Sequence, residues 1–160
     1  MSAKKLTHID DQGRARMVDV AGKQVTRRVA VACGRVLFNE NAFEQLRHNR
    51  LAKGDALAVA RLAGIQAAKR TAEWIPLCHG VPLEHVQVDF EFDEAERSIR
   101  VTGSAAATWT TGVEMEALVA VSAAALALND RAKAVDRGIR ITEIQLLSKE
   151  GGRSGSWQRI

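Results

Sequence analysis

The stretch that most limits how this chain can fold is TGVEMEALVAVSAAALALNDRAKAVD, Thr111–Asp136. Its alanine content and lack of internal Gly or Pro predict a long helix over Gly112–Ala134. At 100° per residue, Glu116, Ala120, Ala123, Ala127 and Asp130 fall on one line, with Lys133 beside Asp130. A line of alanines between charged ends leaves little side-chain bulk, so another backbone or helix must approach closely. Two readings of the ends stay open here. They are solvated termini of a packed helix, or Asp130 and Lys133, at i and i+3, form an acid/base pair in which each tunes the other's pKa.

The remaining elements are shorter. Thr26–Phe38 (TRRVAVACGRVLF) alternates apolar with small or polar residues and predicts a strand. Asn39–Arg50 predicts a short helix with Asn39 or Asn41 as N-cap. Asp55–Trp74 predicts a second helix, started by Gly54-Asp55 and stopped by Pro76. His85–Phe92 and Ser98–Ser104 alternate and are joined by the polar DEAER, which predicts a hairpin. Ile139–Leu147 is a last strand. The order β-α-α-β-β-α-β is an α+β plan, an antiparallel sheet backed by helices. At 160 residues the chain is expected to form one domain over 1–160, with 1–15 and 150–160 as flexible ends.

Three further stretches could carry chemistry. EWIPLCHGVPLEH, Glu73–His85, puts Cys78 and His79 between the only two prolines, Pro76 and Pro82. Zinc needs three or four ligands at sensible spacing, and no second Cys or His cluster completes a set. Adjacent residues seldom face each other as nucleophile and base. The favoured reading is a rigid turn fixing an imidazole at the mouth of a site, its ordering entropy lowered by proline. SKEGGRSG combines glycines with Lys149 and Arg153, which suits an anion, although a solvated tail is the bland alternative. Its spacing is not that of a Walker loop. Lys53 before the second helix and Lys69-Arg70 near its end are, unaided, surface charges.

Charge narrows the partners. A net +4 and a pI of about 9.4 favour a polyanion, whether nucleic acid, membrane surface or phosphorylated small molecule. Aromatics at 4%, with no tyrosine, weigh against base-stacking surfaces. No apolar run approaches the roughly 20 residues of a membrane span. The start MSAKKLTHID lacks a signal-peptide core, and Cys33 and Cys78 read as reduced thiols, so the expected location is cytoplasmic.

Taken together, the segments resemble one family. LTHID near the start, MVDV at Met17–Val20, KGD at Lys53–Asp55, GIQAAKRT at Gly64–Thr71, IPLCH at Ile75–His79, TGVEMEAL at Thr111–Leu118, KAVD at Lys133–Asp136 and GGRSG at Gly151–Gly155 follow its order and spacing. It is the cyclic pyranopterin monophosphate synthase family of molybdenum cofactor biosynthesis, and the resemblance spans about Leu6 to Gly155. IPLCH and TGVEMEAL are highly specific to it. The resemblance implies a ferredoxin-like α+β fold and a homohexamer, a trimer of dimers with sites at dimer interfaces. It implies a reaction in which 3′,8-cyclo-7,8-dihydro-GTP, made from GTP by a radical S-adenosylmethionine enzyme, rearranges to cyclic pyranopterin monophosphate and releases pyrophosphate. No metal or cofactor is obligatory for such proton transfers; a role for magnesium with the pyrophosphate is left open.

By match to the family pattern, Asp130 is the main catalytic acid/base, with Lys53 and Lys133 as partners for protonation and charge stabilisation. Leu77, Cys78 and His79 match a substrate-binding segment, as do Met115 and Glu116. Asp19, Arg28 and Glu114 match positions expected near the site. The triphosphate of the implied substrate gives Lys53, Lys69, Lys149 and Arg153 an electrostatic purpose. The chain departs from the pattern at Gly80, where Pro usually follows IPLCH, and at Thr110, where a basic residue usually precedes TGVEMEAL. Two other readings compete. One is a nucleic-acid-binding module on a ferredoxin-like sheet, marked by RNA binding with a steep salt dependence. The other is a non-catalytic relative that keeps oligomer and ligand but not turnover.

Overall fold

The computed structural model describes residue 9 and residues 12–160. Of the LTHID stretch only Ile9 is included; His8 and most of the expected flexible start lie outside the described residues. The elements run β1 (Thr26–Leu37), α1 (Glu40–Arg47), α2 (Ala56–Ala68), α3 (Thr71–Trp74), β2 (His85–Asp93), β3 (Ser98–Trp109), α4 (Glu114–Ala132), β4 (Arg140–Glu150) and β5 (Trp157–Gln158). The strands form one sheet in the order β2-β3-β1-β4-β5, and every pair is antiparallel. This is the α+β arrangement expected of a ferredoxin-like fold.

Ala30, Ala32 and Val36 of β1 are fully buried, on the side where α4 packs. That core is built largely from alanine and valine, with Ile99 and Leu128 as its largest fully buried side chains. Small residues bring the layers together. A Cβ at Gly103 of β3 would lie 2.8 Å from Val121 Cγ2, and one at Gly64 of α2 would lie 2.7 Å from the Ala120 carbonyl oxygen. Both distances are below any real Cβ contact, so α4 is clasped between the sheet and α2 at glycines. The alanine line therefore does the packing expected of it, while its charged ends are left to other work.

Caps fix the helix starts. Asn39 Oδ1 accepts the Ala42 N–H at 2.8 Å, and Asp55 Oδ1 accepts the Ala58 N–H at 2.9 Å. Several boundaries differ from the sequence reading. The helix expected over Asp55–Trp74 breaks at Lys69-Arg70, because the buried Thr71 turns its hydroxyl back onto the Ala68 carbonyl at 2.9 Å. β3 runs five residues past Ser104, since Ala105, Ala106 and Ala107 are buried in the sheet despite poor strand propensity. β4 runs to Glu150, which puts Lys149 on a strand and not in a tail. No helix among the described residues is long and apolar enough to cross a membrane.

Candidate active site

The C-terminal end of α4 carries the first cluster. Asp130 Oδ1 lies 2.7 Å from Lys133 Nζ, one turn on, and its Oδ2 lies 3.6 Å from Lys53 Nζ. Lys53 also donates to the Asp130 carbonyl oxygen at 3.1 Å, and Arg131 donates to the Lys53 carbonyl oxygen at 3.4 Å. The loop before α2 is thus tied to the last turns of α4. The Lys133 hydrogen bond and charge, then the Lys53 charge, hold the Asp130 carboxyl below its ordinary range. Asp130 therefore stands as a carboxylate at neutral pH, flanked by two ammonium groups and open to solvent. That is a proton acceptor beside two proton donors.

The second cluster sits at the opposite end of α4. Lys149 Nζ lies 3.3 Å from Glu114 Oε1 and donates to Ser154 Oγ at 2.9 Å. Arg28 on β1 donates to the Trp109 and Thr110 carbonyl oxygens, each at 3.2 Å. Its guanidinium lies across the Gly151-Gly152 turn, where both residues have positive φ and a Cβ at Gly152 would collide with Arg28 Nη1. The glycines of SKEGGRSG therefore let Arg28 and Lys149 share one end of the sheet. At Thr110, where the family pattern has a basic side chain, the backbone carbonyl orients Arg28.

A cavity of about 400 Å³ is lined by Lys69, Thr71, Gly80, Pro82, Trp109 and Glu116, among others. Glu116 is 2% exposed. Burial first, and the nearby Glu114 charge after it, push its carboxyl from 4.5 to about 7, against the opposing pull of its own backbone N–H. Cys78 is raised by burial and by the Glu116 charge, with the His79 backbone opposing. The IPLCH turn thus faces Glu116, and Leu77 within it holds a positive φ of 65°, a strained geometry for a non-glycine residue. Gly80 has open space where a Cβ would stand.

The raised Glu116 carboxyl has a consequence for stability. A folded-state pKa above the unfolded one means that the folded chain binds more protons between them. The Glu116 contribution to stability is therefore full below about 4.5 and is lost as pH rises to about 7, by on the order of 2 kcal/mol after allowance for solvent screening. Denaturant titrations across that window should show this decline, and Glu116→Gln should flatten it.

The other sequence-predicted residues are placed less tightly. His79 and Met115 are half-buried, the latter beside Glu116 on α4's first turn. Asp19 is exposed and accepts the Ala21 N–H at 2.9 Å within its own loop. Lys69 caps the end of α2, and Arg153 is exposed. Sequence reasoning missed Ser154 as a partner of Lys149, and Trp109 and Thr110 as the carbonyls that aim Arg28. The glycine run was the only signal for the former. Among the described residues, no three His, Cys, Asp or Glu side chains gather as a metal site.

One feature of the layout governs the chemistry. From Glu116 to Asp130 is 14 helical steps, about 21 Å along one rigid helix. Within one chain, the Asp130 cluster and the Glu116–Lys149 end cannot touch the same small reacting group.

The family model described as the MoaC family matches residues 17–152. The cyclic pyranopterin monophosphate synthase of Thermomicrobium roseum is 56% identical over 155 residues, covering 97% of this chain and 93% of the relative. The synthase of Chloroflexus aurantiacus is 53% identical over 155 residues, covering 97% and 95%. Molybdenum cofactor biosynthesis protein 1 of Mus musculus is 51% identical over 158 residues, covering 99% of this chain but 25% of its own length. The chain thus spans the bacterial relatives nearly whole and a quarter of the mammalian one.

Proposed function

The chain belongs to the MoaC family, and from that premise we propose that it is a lyase converting 3′,8-cyclo-7,8-dihydro-GTP to cyclic pyranopterin monophosphate and pyrophosphate in molybdenum cofactor biosynthesis. The observation that carries the reading is the convergence of Lys53 on Asp130 across 77 residues, with Lys133 beside them, in a chain more than half identical to a synthase of that name. The non-catalytic and nucleic-acid-binding alternatives have no comparable support.

The chemistry asked of the site follows from reactant and product. A purine ring opens and recloses as a pterin, which needs protons removed and returned. A cyclic phosphate forms as a sugar oxygen attacks the α-phosphorus and pyrophosphate leaves. Asp130, ionised between two ammonium groups, takes a proton; Lys133 or Lys53 returns one and offsets developing negative charge. Arg28, Lys149, Lys69 and Arg153 hold the triphosphate, and the leaving pyrophosphate carries its charge away through the same groups. Glu116, Met115, Leu77, Cys78 and His79 hold the base-derived rings, with Asp19 and Glu114 nearby. A carboxyl poised near 7 suits Glu116 to hydrogen bonding as donor or acceptor. No cofactor is assigned; magnesium enters only as a companion of pyrophosphate.

The 21 Å separation is resolved if two chains build each site. One copy supplies the Asp130 cluster and a second the Glu116–Lys149 end, within a homohexamer arranged as a trimer of dimers. Leu62, Leu126 and Trp74, 60%, 54% and 47% exposed, are apolar surface that such an assembly would cover. The substrate comes from a radical S-adenosylmethionine GTP cyclase, and the setting proposed is the cytoplasm.

The test is direct. Purified protein is given the cyclised nucleotide, and pyrophosphate and the cyclic monophosphate are followed together. Both should appear in equal amounts; a nucleotide left unconsumed would refute the assignment. In the same assay Lys149→Ala should raise KM by about 10-fold or more, the worth of a charge-assisted contact to phosphate, with a much smaller change in kcat. An unchanged KM would remove Lys149 from the phosphate site.

A further inference from the structure

The chain just beyond the Asp130 cluster is held from outside the helix. Asp136 is 6% exposed, one of the few buried charged residues. Its Oδ2 accepts the Asn39 N–H at 2.6 Å and its Oδ1 accepts the Gly138 N–H at 2.8 Å. Asn39 is the N-cap of α1 and lies two residues past the end of β1, with the buried Phe38 between, so it is held close to the sheet. Its side-chain amide reaches back to the Val135 carbonyl oxygen at 3.5 Å. The Val135 and Asp136 N–H groups both donate to the Ala132 carbonyl oxygen, at 2.8 and 3.0 Å, while the Lys133 N–H donates to Asn129 at 2.8 Å. The last turn of α4 is therefore closed on itself and pinned to the β1–α1 junction by one carboxylate.

This matters because Lys133 is the C-cap residue of α4. A helix end is where backbone hydrogen bonds run out and fraying begins. The Lys133 side chain is exposed, and its 2.7 Å contact with Asp130 depends on where that last turn lies. We propose that Asp136 is a positioning residue, whose grip on the Asn39 and Gly138 N–H groups sets Lys133 against Asp130 and so keeps the acid/base pair in its working geometry. The inference rests on the acid/base reading of Asp130 given above. It assigns a purpose to the last residue of KAVD, which the catalytic cluster itself does not use.

Asp136→Asn keeps the shape but turns an amino group toward one of the two N–H donors. Its kcat for the cyclised nucleotide should fall by about 10-fold to 100-fold, the cost of a small misplacement, with KM within about threefold. A second readout separates positioning from mere stability. Lys133 at the C-cap of α4 and Lys53 from the loop before α2 hold Asp130 ionised, with Arg131 anchoring that loop. Once Lys133 swings away, Asp130 protonates at higher pH, so the acid limb of the kcat profile should move upward. Asn39→Pro is the companion variant. Asn39 has φ of −70°, which proline accepts, and the change deletes the N–H, together with the side-chain cap on Ala42 and the reach to Val135, while leaving every residue of α4 intact.

A folded Asp136→Asn or Asn39→Pro with lowered kcat and a raised acid limb supports the inference. Wild-type kcat, or a loss with the limb unmoved, overturns it, and failure of both variants to fold assigns Asp136 to stability alone and overturns it too. Asp130→Asn runs alongside. If that variant is inactive while the Asp136 variant is normal, only the positioning inference falls; if Asp130→Asn turns over at the wild-type rate, the underlying reading falls first.

Discussion

Asp130→Asn should reduce turnover of the cyclised nucleotide by about 10²–10⁴-fold, the usual contribution of a positioned acid/base group, and leave the fold intact. The two halves of that expectation have separate causes. Asp130 is exposed on the surface of α4, and its partners are the exposed ammonium groups of Lys133 and Lys53. The core of the fold is built instead from Leu128, Val121 and the buried alanines. Far-ultraviolet circular dichroism and the melting transition should therefore match the wild type. The amide keeps the size of the carboxylate and one acceptor oxygen, but it cannot take a proton. Because the two lysines hold the native carboxyl below its ordinary range, the wild-type reaction should remain active well into the acid range, with its acid limb set below that of an unpaired aspartate. A variant that turned over normally would move the acid/base role off Asp130.

Much of the site was legible one element at a time. The pairing of Asp130 with Lys133 follows from helical spacing, and the alanine line from Glu116 to Ala127 correctly announces a helix gripped on more than one side. Asn39 and Asp55 cap where short polar residues before apolar runs should cap. Lys53 was not legible that way, since nothing local to AKGD distinguishes it from a solvated lysine. Only its resemblance to the family pattern singled it out, and only the fold carries it to Asp130. The end of β3 was hidden because AAATW has helix-favouring alanines in a strand, where burial against α4 overrides propensity. The Glu114–Lys149 and Arg28–Thr110 contacts depend on sheet register, which no single stretch encodes. Asp136 was visible as part of KAVD, but one of its two backbone partners sits 97 residues away at Asn39.

The second large effect concerns the number of chains in a site. A single rigid helix separates the Asp130 cluster from Glu116 by about 21 Å, and the groups assigned to the triphosphate lie at the Glu116 end. If each site takes its Asp130 end from one copy and its Lys149 end from another, two different inactive chains can rescue each other. Asp130→Asn spoils only the first kind of half-site. Lys149→Glu spoils only the second, by placing a carboxylate where phosphate should bind and opposite Glu114. In a symmetric pair containing one of each, one site carries both defects and the other carries neither.

The measurement that tests this most directly is turnover of the cyclised nucleotide by Asp130→Asn and Lys149→Glu chains co-expressed with different tags and purified through both. Each variant alone should be inactive, and random mixing should return about a quarter of the wild-type rate. Mixed oligomers that stay inactive, beside a wild-type control that works, would contradict the shared site and place all of the chemistry within one chain.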